Sequence, residues 1–77
     1  MYILKEYHYV MPEDGVFRLE DVYVILCQER EHAVRYICNI EGGNNKEWDR
    51  IWDQMRITDT YEQPEGYRKY VIEEQNV

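Results

Sequence analysis

Four residues in one segment constrain the fold more than any other feature of the chain. In "NNKEWDRIWDQM", residues 44–55, Trp48, Ile51, Trp52 and Met55 fall at i, i+3, i+4 and i+7. That spacing puts them on one apolar stripe of an α-helix, with Lys46, Asp49, Arg50, Asp53 and Gln54 on the opposite arc. Asn44 or Asn45 can cap the helix, and Asn44 with Glu47 has the spacing of a capping box. Such a stripe must be buried, and in a chain of 77 residues the rest of the sequence has to supply the covering surface. Each tryptophan can bury about 150–250 Å², worth several kcal/mol at roughly 25 cal/mol per Å². Trp48 and Trp52 are therefore expected in the core.

The surface offered to that helix reads as strands. Residues 2–11, "YILKEYHYVM", are rich in Tyr, Ile and Val and favour a strand. "PEDG", 12–15, is a turn. Residues 16–29 hold the continuous apolar run Val22 to Cys27, the pattern of a strand covered on both faces. "REH" breaks the run, and residues 33–40, "AVRYICNI", alternate with Val34, Tyr36, Cys38 and Ile40 on one side. A single helix over 19–40 has nearly as good a spacing, but the β-branched and aromatic content favours a hairpin. Residues 58–66 read as a loop, 67–74 as the last strand, and the final "QNV" as a fraying end. The expected architecture is one α+β domain spanning residues 1–77. It has an antiparallel sheet of about four strands in the order β-β-β-α-β, with one amphipathic helix packed on one face.

Catalytic and metal chemistry find no foothold in the sequence. The only histidines, His8 and His32, and the only cysteines, Cys27 and Cys38, lack the close pair spacings of a zinc site. Cys27 and Cys38 lie in apolar runs, where a free thiol behaves as a small hydrophobe. There is no serine, and "EGGNN" lacks the Gly-Lys-Ser/Thr of a phosphate loop. A non-enzyme without cofactor or metal is expected. Lys5 and Glu6 interrupt the first apolar run, and no segment reaches the length of a membrane-spanning helix. Together with the absence of a disulfide framework, this predicts reduced thiols in a cytoplasmic setting, the host's cytoplasm if the chain is phage-encoded.

What remains is charge and tyrosine. Sixteen acids against nine bases give a net charge of −7, which disfavours nucleic acid and anionic membranes as direct partners. Eight tyrosines spread over both strand parities, so the face left uncovered by one helix should carry several. In size, acidity and lack of catalytic motif the chain resembles the broad class of small phage inhibitors, anti-CRISPR proteins and DNA mimics. The resemblance implies a protein-binding module that engages a basic surface of a nucleic-acid-handling protein. The expected contact residues are Tyr7, Tyr9, Glu13, Asp14, Glu20, Asp21, Asp59, Tyr61, Glu62, Glu65 and Tyr67. The alternative is an assembly module that forms a homodimer through the tyrosine-rich open face of the sheet.

Overall fold

The computed structural model describes residues 1–76. The order of elements is β1 (Tyr2–Val10), β2 (Arg18–Cys27), α1 (Arg30–Glu41), α2 (Asn45–Gln54), β3 (Thr60–Glu62) and β4 (Arg68–Glu74). The four strands form one antiparallel sheet in the order β2-β1-β4-β3. The α+β class and the four-stranded antiparallel sheet are as expected; the element order and the number of helices are not.

Strand alternation sorts the sheet into two faces. Leu4 of β1 lies opposite Ile25 of β2 and Ile72 of β4, and Glu6 lies opposite Tyr23 and Tyr70. Tyr70 in turn faces Tyr61 of β3. Leu4, Tyr61, Tyr70 and Ile72 are buried beneath the helices. The α1 helix lies across β1, β2 and β4, and α2 packs against α1. From α1, Ala33, Val34, Ile37 and Cys38 complete the core; from the second helix and its cap come Ile51 and Met55.

Residues 33–40 thus form a helix, not the third strand of the expected order. Their buried set follows the helical spacing i, i+1, i+4, i+5, whereas Ile40, which alternation would have turned inward, is exposed. The β-propensity of "VRYICNI" is overridden because an α1 stripe has the central strands to cover, and β-propensity is largely a packing preference. A second correction concerns the apolar run of β2. It is not a strand covered on both faces but an edge strand, and most of its side chains are exposed.

Near α2 the expected boundaries hold. Asn44 caps it, with Glu47 N–H donating to Asn44 Oδ1 at 2.9 Å. Ile51 and Met55 are fully buried, but Trp48 and Trp52 are only half-buried at the core's margin. Their rings stack on each other at 5.2 Å, and Arg35 of α1 lies 5.6 Å over Trp52. The two helices meet tightly at Gly42, where a Cβ would stand 2.6 Å from the Cys38 carbonyl oxygen and 2.9 Å from the Trp48 Cα. The β1–β2 turn closes with Gly15 N–H donating to the Pro12 carbonyl, Gly15 taking φ of 78°. The segment 58–66, expected as loop, contains the short β3. At the other terminus Gln75 N–H donates to the Met1 carbonyl at 2.8 Å; Val77 of the expected fraying end lies outside the described residues.

Candidate interaction surface

The face of the sheet away from the helices divides into two unlike halves. On the β4–β3 side it carries charge: Lys5 pairs with Glu73 at 3.1 Å and Lys69 with Glu62 at 3.7 Å. On the β2 side it is apolar, with Lys5 of β1 opposite Val24 at the boundary between the halves. Ile3 and Tyr7 of β1 lie opposite Leu26 and Val22, and Val24 stands between these two on the same face. Val24 is 58% exposed and Leu26 is 65% exposed. A bulge between His8 and Tyr9 leaves Glu20 without a partner in β1 and brings Leu19 opposite Tyr9. Leu19, 53% exposed, extends the apolar patch along the strand.

The hydrogen-bond ladder fixes which backbone groups of β2 point away from the sheet. Ile72 N–H donates to the Asp59 carbonyl and Gln63 N–H donates to the Arg68 carbonyl. The even residues of β4 therefore face β3. In an antiparallel ladder the N–H and C=O of one residue point the same way and successive residues alternate. Odd residues of β4 must face β1, consistent with Tyr9 N–H donating to the Tyr67 carbonyl. By the same alternation the even residues of β1 face β2, and their partners Asp21, Tyr23, Ile25 and Cys27 face β1. The N–H and C=O groups of Val22, Val24 and Leu26 are then left on the outer edge, with no strand beyond them among the described residues.

The carboxylates are distributed around this surface unevenly. Eight of the nine basic side chains sit in ion pairs, Lys46 being the exception among the described residues. Of the acids expected to meet a partner, Asp14 is held by Arg18, Asp59 by Arg30 at 3.0 Å, and Glu62 by Lys69. Glu13, Glu20, Asp21 and Glu65 are exposed and take part in no ion pair among the described residues. Glu20 and Asp21 stand at the bulge, at one end of the apolar edge; Glu13 lies in the turn that leads to it. Of the tyrosines, Tyr7 and Tyr9 are half-buried on the open face, and Tyr67 meets Phe17 edge to face at 5.2 Å. Tyr61 is in the core, 4% exposed, so it belongs to no surface.

Two buried polar clusters escaped the sequence reading, and both tie α1 to the sheet. Glu6, 5% exposed, accepts a hydrogen bond from Tyr36 of α1 at 3.0 Å, and its other oxygen lies 2.9 Å from His8 Nε2. Glu41 at the end of α1 accepts from the Tyr70 hydroxyl at 2.5 Å and from Gln63 at 3.1 Å, and lies 2.7 Å from Arg68 Nε. Burial, reinforced by the Glu41 carboxylate, pushes the Tyr70 phenol far above its ordinary pKa. Burial and then Glu6 raise that of Tyr36. An open groove of about 400 Å³ runs beside Glu6, lined by His8, Tyr23, Val24, Ile25 and Tyr36. The hydrogen bond from Tyr36 makes the Glu6 carboxylate a structural anchor between α1 and β1.

The exposed residues Leu19, Val22, Val24 and Leu26 were absent from the expected contact set. Their signal was present in the sequence: an apolar strand with no Lys or Pro between residues 19 and 27. Both cysteines are free, Cys38 buried and Cys27 half-buried. Burial raises the Cys38 pKa, and its thiol approaches the Trp48 carbonyl at 3.7 Å. Among the described residues no cluster of His, Cys, Asp and Glu is arranged to hold a metal, and no helix is long and apolar enough to cross a membrane. The chain matches no family model, no curated protein and no solved structure.

Proposed function

We propose that this chain is a non-enzymatic protein-binding module whose docking surface is the outer edge of β2 with the apolar half of the open sheet face. The observation that carries the reading is the coincidence of two features on the same three residues. Val22, Val24 and Leu26 present unpaired backbone groups at the edge and apolar side chains on the open face. A partner strand laid along that edge gains main-chain hydrogen bonds and side-chain burial together. An exposed apolar edge is an aggregation hazard that folded proteins ordinarily block with charge, proline or a covering element. Its persistence here supports a surface that is covered in use.

A second reading is an acidic inhibitor of a nucleic-acid-handling protein. It is favoured by Glu20 and Asp21, which stand at one end of this surface and take part in no ion pair among the described residues. A basic partner would meet them there and be steered by them. Both readings place a protein at β2. A photo-crosslinking residue at position 24 of the full chain, in cells producing it, is expected to give covalent protein adducts. The same residue at Thr60 of the opposite edge is expected to give none. Absence of adducts from position 24, or equal yields from both positions, overturns the docking surface.

A further inference from the structure

We infer that the strand docked on β2 is the β2 of a second copy of this chain, paired antiparallel about a two-fold axis at Val24. The inference rests on the docking surface proposed above and names its occupant.

The geometry selects this register among the alternatives. The regular part of β2 is bounded by the bulge at Glu20 and by the end of the strand at Cys27. Its midpoint is Val24, so two antiparallel copies overlap fully only when centred there. Val24 then faces its own copy, and Val22 faces Leu26 of the second copy on both sides of the axis. All three are the residues whose N–H and C=O point outward, so each facing pair exchanges two hydrogen bonds. On the open face only apolar side chains meet one another. On the helix face Tyr23 meets Ile25. A shift of the centre to Tyr23 would set Asp21 against Ile25 and Glu20 against Leu26. A shift to Ile25 would set Asp21 against Glu29, two like charges.

Charge also fits the Val24 register. Two chains of net charge −7 repel, so a self-interface must keep its acids apart. Here Glu20 faces Gln28 and Asp21 faces Cys27 of the other copy. The two Glu20 residues end about 27 Å apart, taking about 3.4 Å per residue over the intervening positions. Glu29 of the other copy then faces Leu19, one position beyond the Glu20–Gln28 pair, so no two acids stand directly opposite each other. The product is a closed pair: an eight-stranded sheet with β3 at both ends.

The test uses the full chain in sedimentation equilibrium, with hydrogen exchange read at individual amides. Wild type is expected as a dimer in which the Val22, Val24 and Leu26 amides are protected. Val24→Lys sets two lysines against each other on the axis and should weaken the dimer at least about tenfold. Val24→Pro removes only an outward N–H and should do the same while keeping the fold; Val24→Thr should leave the dimer in place. Val22→Lys should weaken it, and adding Leu26→Glu should restore it, because those positions face each other only in this register. A wild-type dimer with fast exchange at the three amides, or one indifferent to both Val24→Lys and Val24→Pro, overturns strand pairing. A wild type that stays monomeric up to about 1 mM overturns the second copy as occupant. In that case adducts from position 24 to other proteins would leave the docking surface standing, and their absence would remove it as well.

Discussion

The two edges of the sheet are built in opposite ways. β3 is three residues long, and its outward-facing residues are Thr60 and Glu62. Thr58 folds back over Thr60: its hydroxyl donates to the Thr60 carbonyl at 2.7 Å and accepts from the Thr60 N–H at 3.3 Å. Glu62 adds charge, and Pro64 follows. β2 is ten residues long, its outward residues Val22, Val24 and Leu26 are aliphatic and exposed, and among the described residues no strand lies beyond them. One edge is thus closed by the chain's own hydroxyl and charge, and the other is left open. Assembly through β2 is therefore expected to stop at two copies, since every remaining edge is of the closed kind.

The largest effect separates neighbouring residues of the open edge. Ile25 N–H faces β1 and Val24 N–H faces outward. Ile25→Pro should remove a ladder bond and leave its β1 acceptor unpaired, at a cost of up to about 3 kcal/mol, measured by urea unfolding. Val24→Pro should cost far less in the same assay. Equal losses would mean that the assignment of inward and outward residues is reversed.

The closed half is secured from beneath by Tyr70, which is fully buried and donates to Glu41. Tyr70→Phe should destabilise the fold by about 2 kcal/mol, the usual contribution of a hydrogen bond to a charged group. The same burial has a pH consequence. Tyr36, Tyr61 and Tyr70 all have pKa values raised above the ordinary 10.0. The fold holds their protons more tightly than the unfolded chain does. Their stabilising contribution is complete below about pH 10 and is lost as pH rises through the raised values. Ultraviolet titration at alkaline pH, comparing wild type with Tyr70→Phe, should show the fully buried Tyr70 phenol ionising only together with unfolding. Ionisation of Tyr70 in a chain that stays folded would contradict its burial.

A smaller effect should convert the closed edge toward the open kind. Thr58→Val removes the hydroxyl that covers Thr60, at a cost of about 1 kcal/mol. The freed Thr60 groups should then exchange faster and allow association beyond the dimer. Unchanged exchange at Thr60 would show that edge length and charge, rather than the hydroxyl, keep β3 closed.

The contrast between the edges also shows where sequence reading stopped. Local patterns located β1, α2 and β4 well, because each has a clear period and punctuation: Pro12 and Gly15 after β1, Asn44 before α2, Gly66 before β4. They failed at residues 33–40, where Val34, Tyr36 and Ile37 suit either structure and the covering requirement of β1 and β4 decided for helix. They failed again at β2. An apolar run records that surface is to be buried, but not whether this chain or another does the burying. Alternation shows that Tyr7 and Tyr9 share one face of β1, but which face is open follows only from the register with its neighbours. Tyr61 is turned into the core by a three-residue strand within an expected loop.

The smallest effect concerns salt, and it distinguishes a second copy from a basic partner by sign. With a basic partner, Glu20 and Asp21 attract, so added salt should slow association and weaken binding. With a second copy, the net charge of −7 on each chain repels. At each end of the paired strands Glu20 and Asp21 of one copy lie near Glu29 of the other. Repulsion between the chains reaches about 30 Å at 0.01 M salt and only about 10 Å at 0.1 M. Raising salt over this range should therefore strengthen the dimer, by roughly a few-fold, chiefly through faster association. Glu20→Lys should flatten the dependence by reducing the repulsion without touching the facing apolar pairs. Sedimentation equilibrium at the two salt concentrations reads the sign directly. A dimer that weakens as salt rises would mean that opposite charges hold it, and would move the contact from the aliphatic edge to the ion-paired half of the open face.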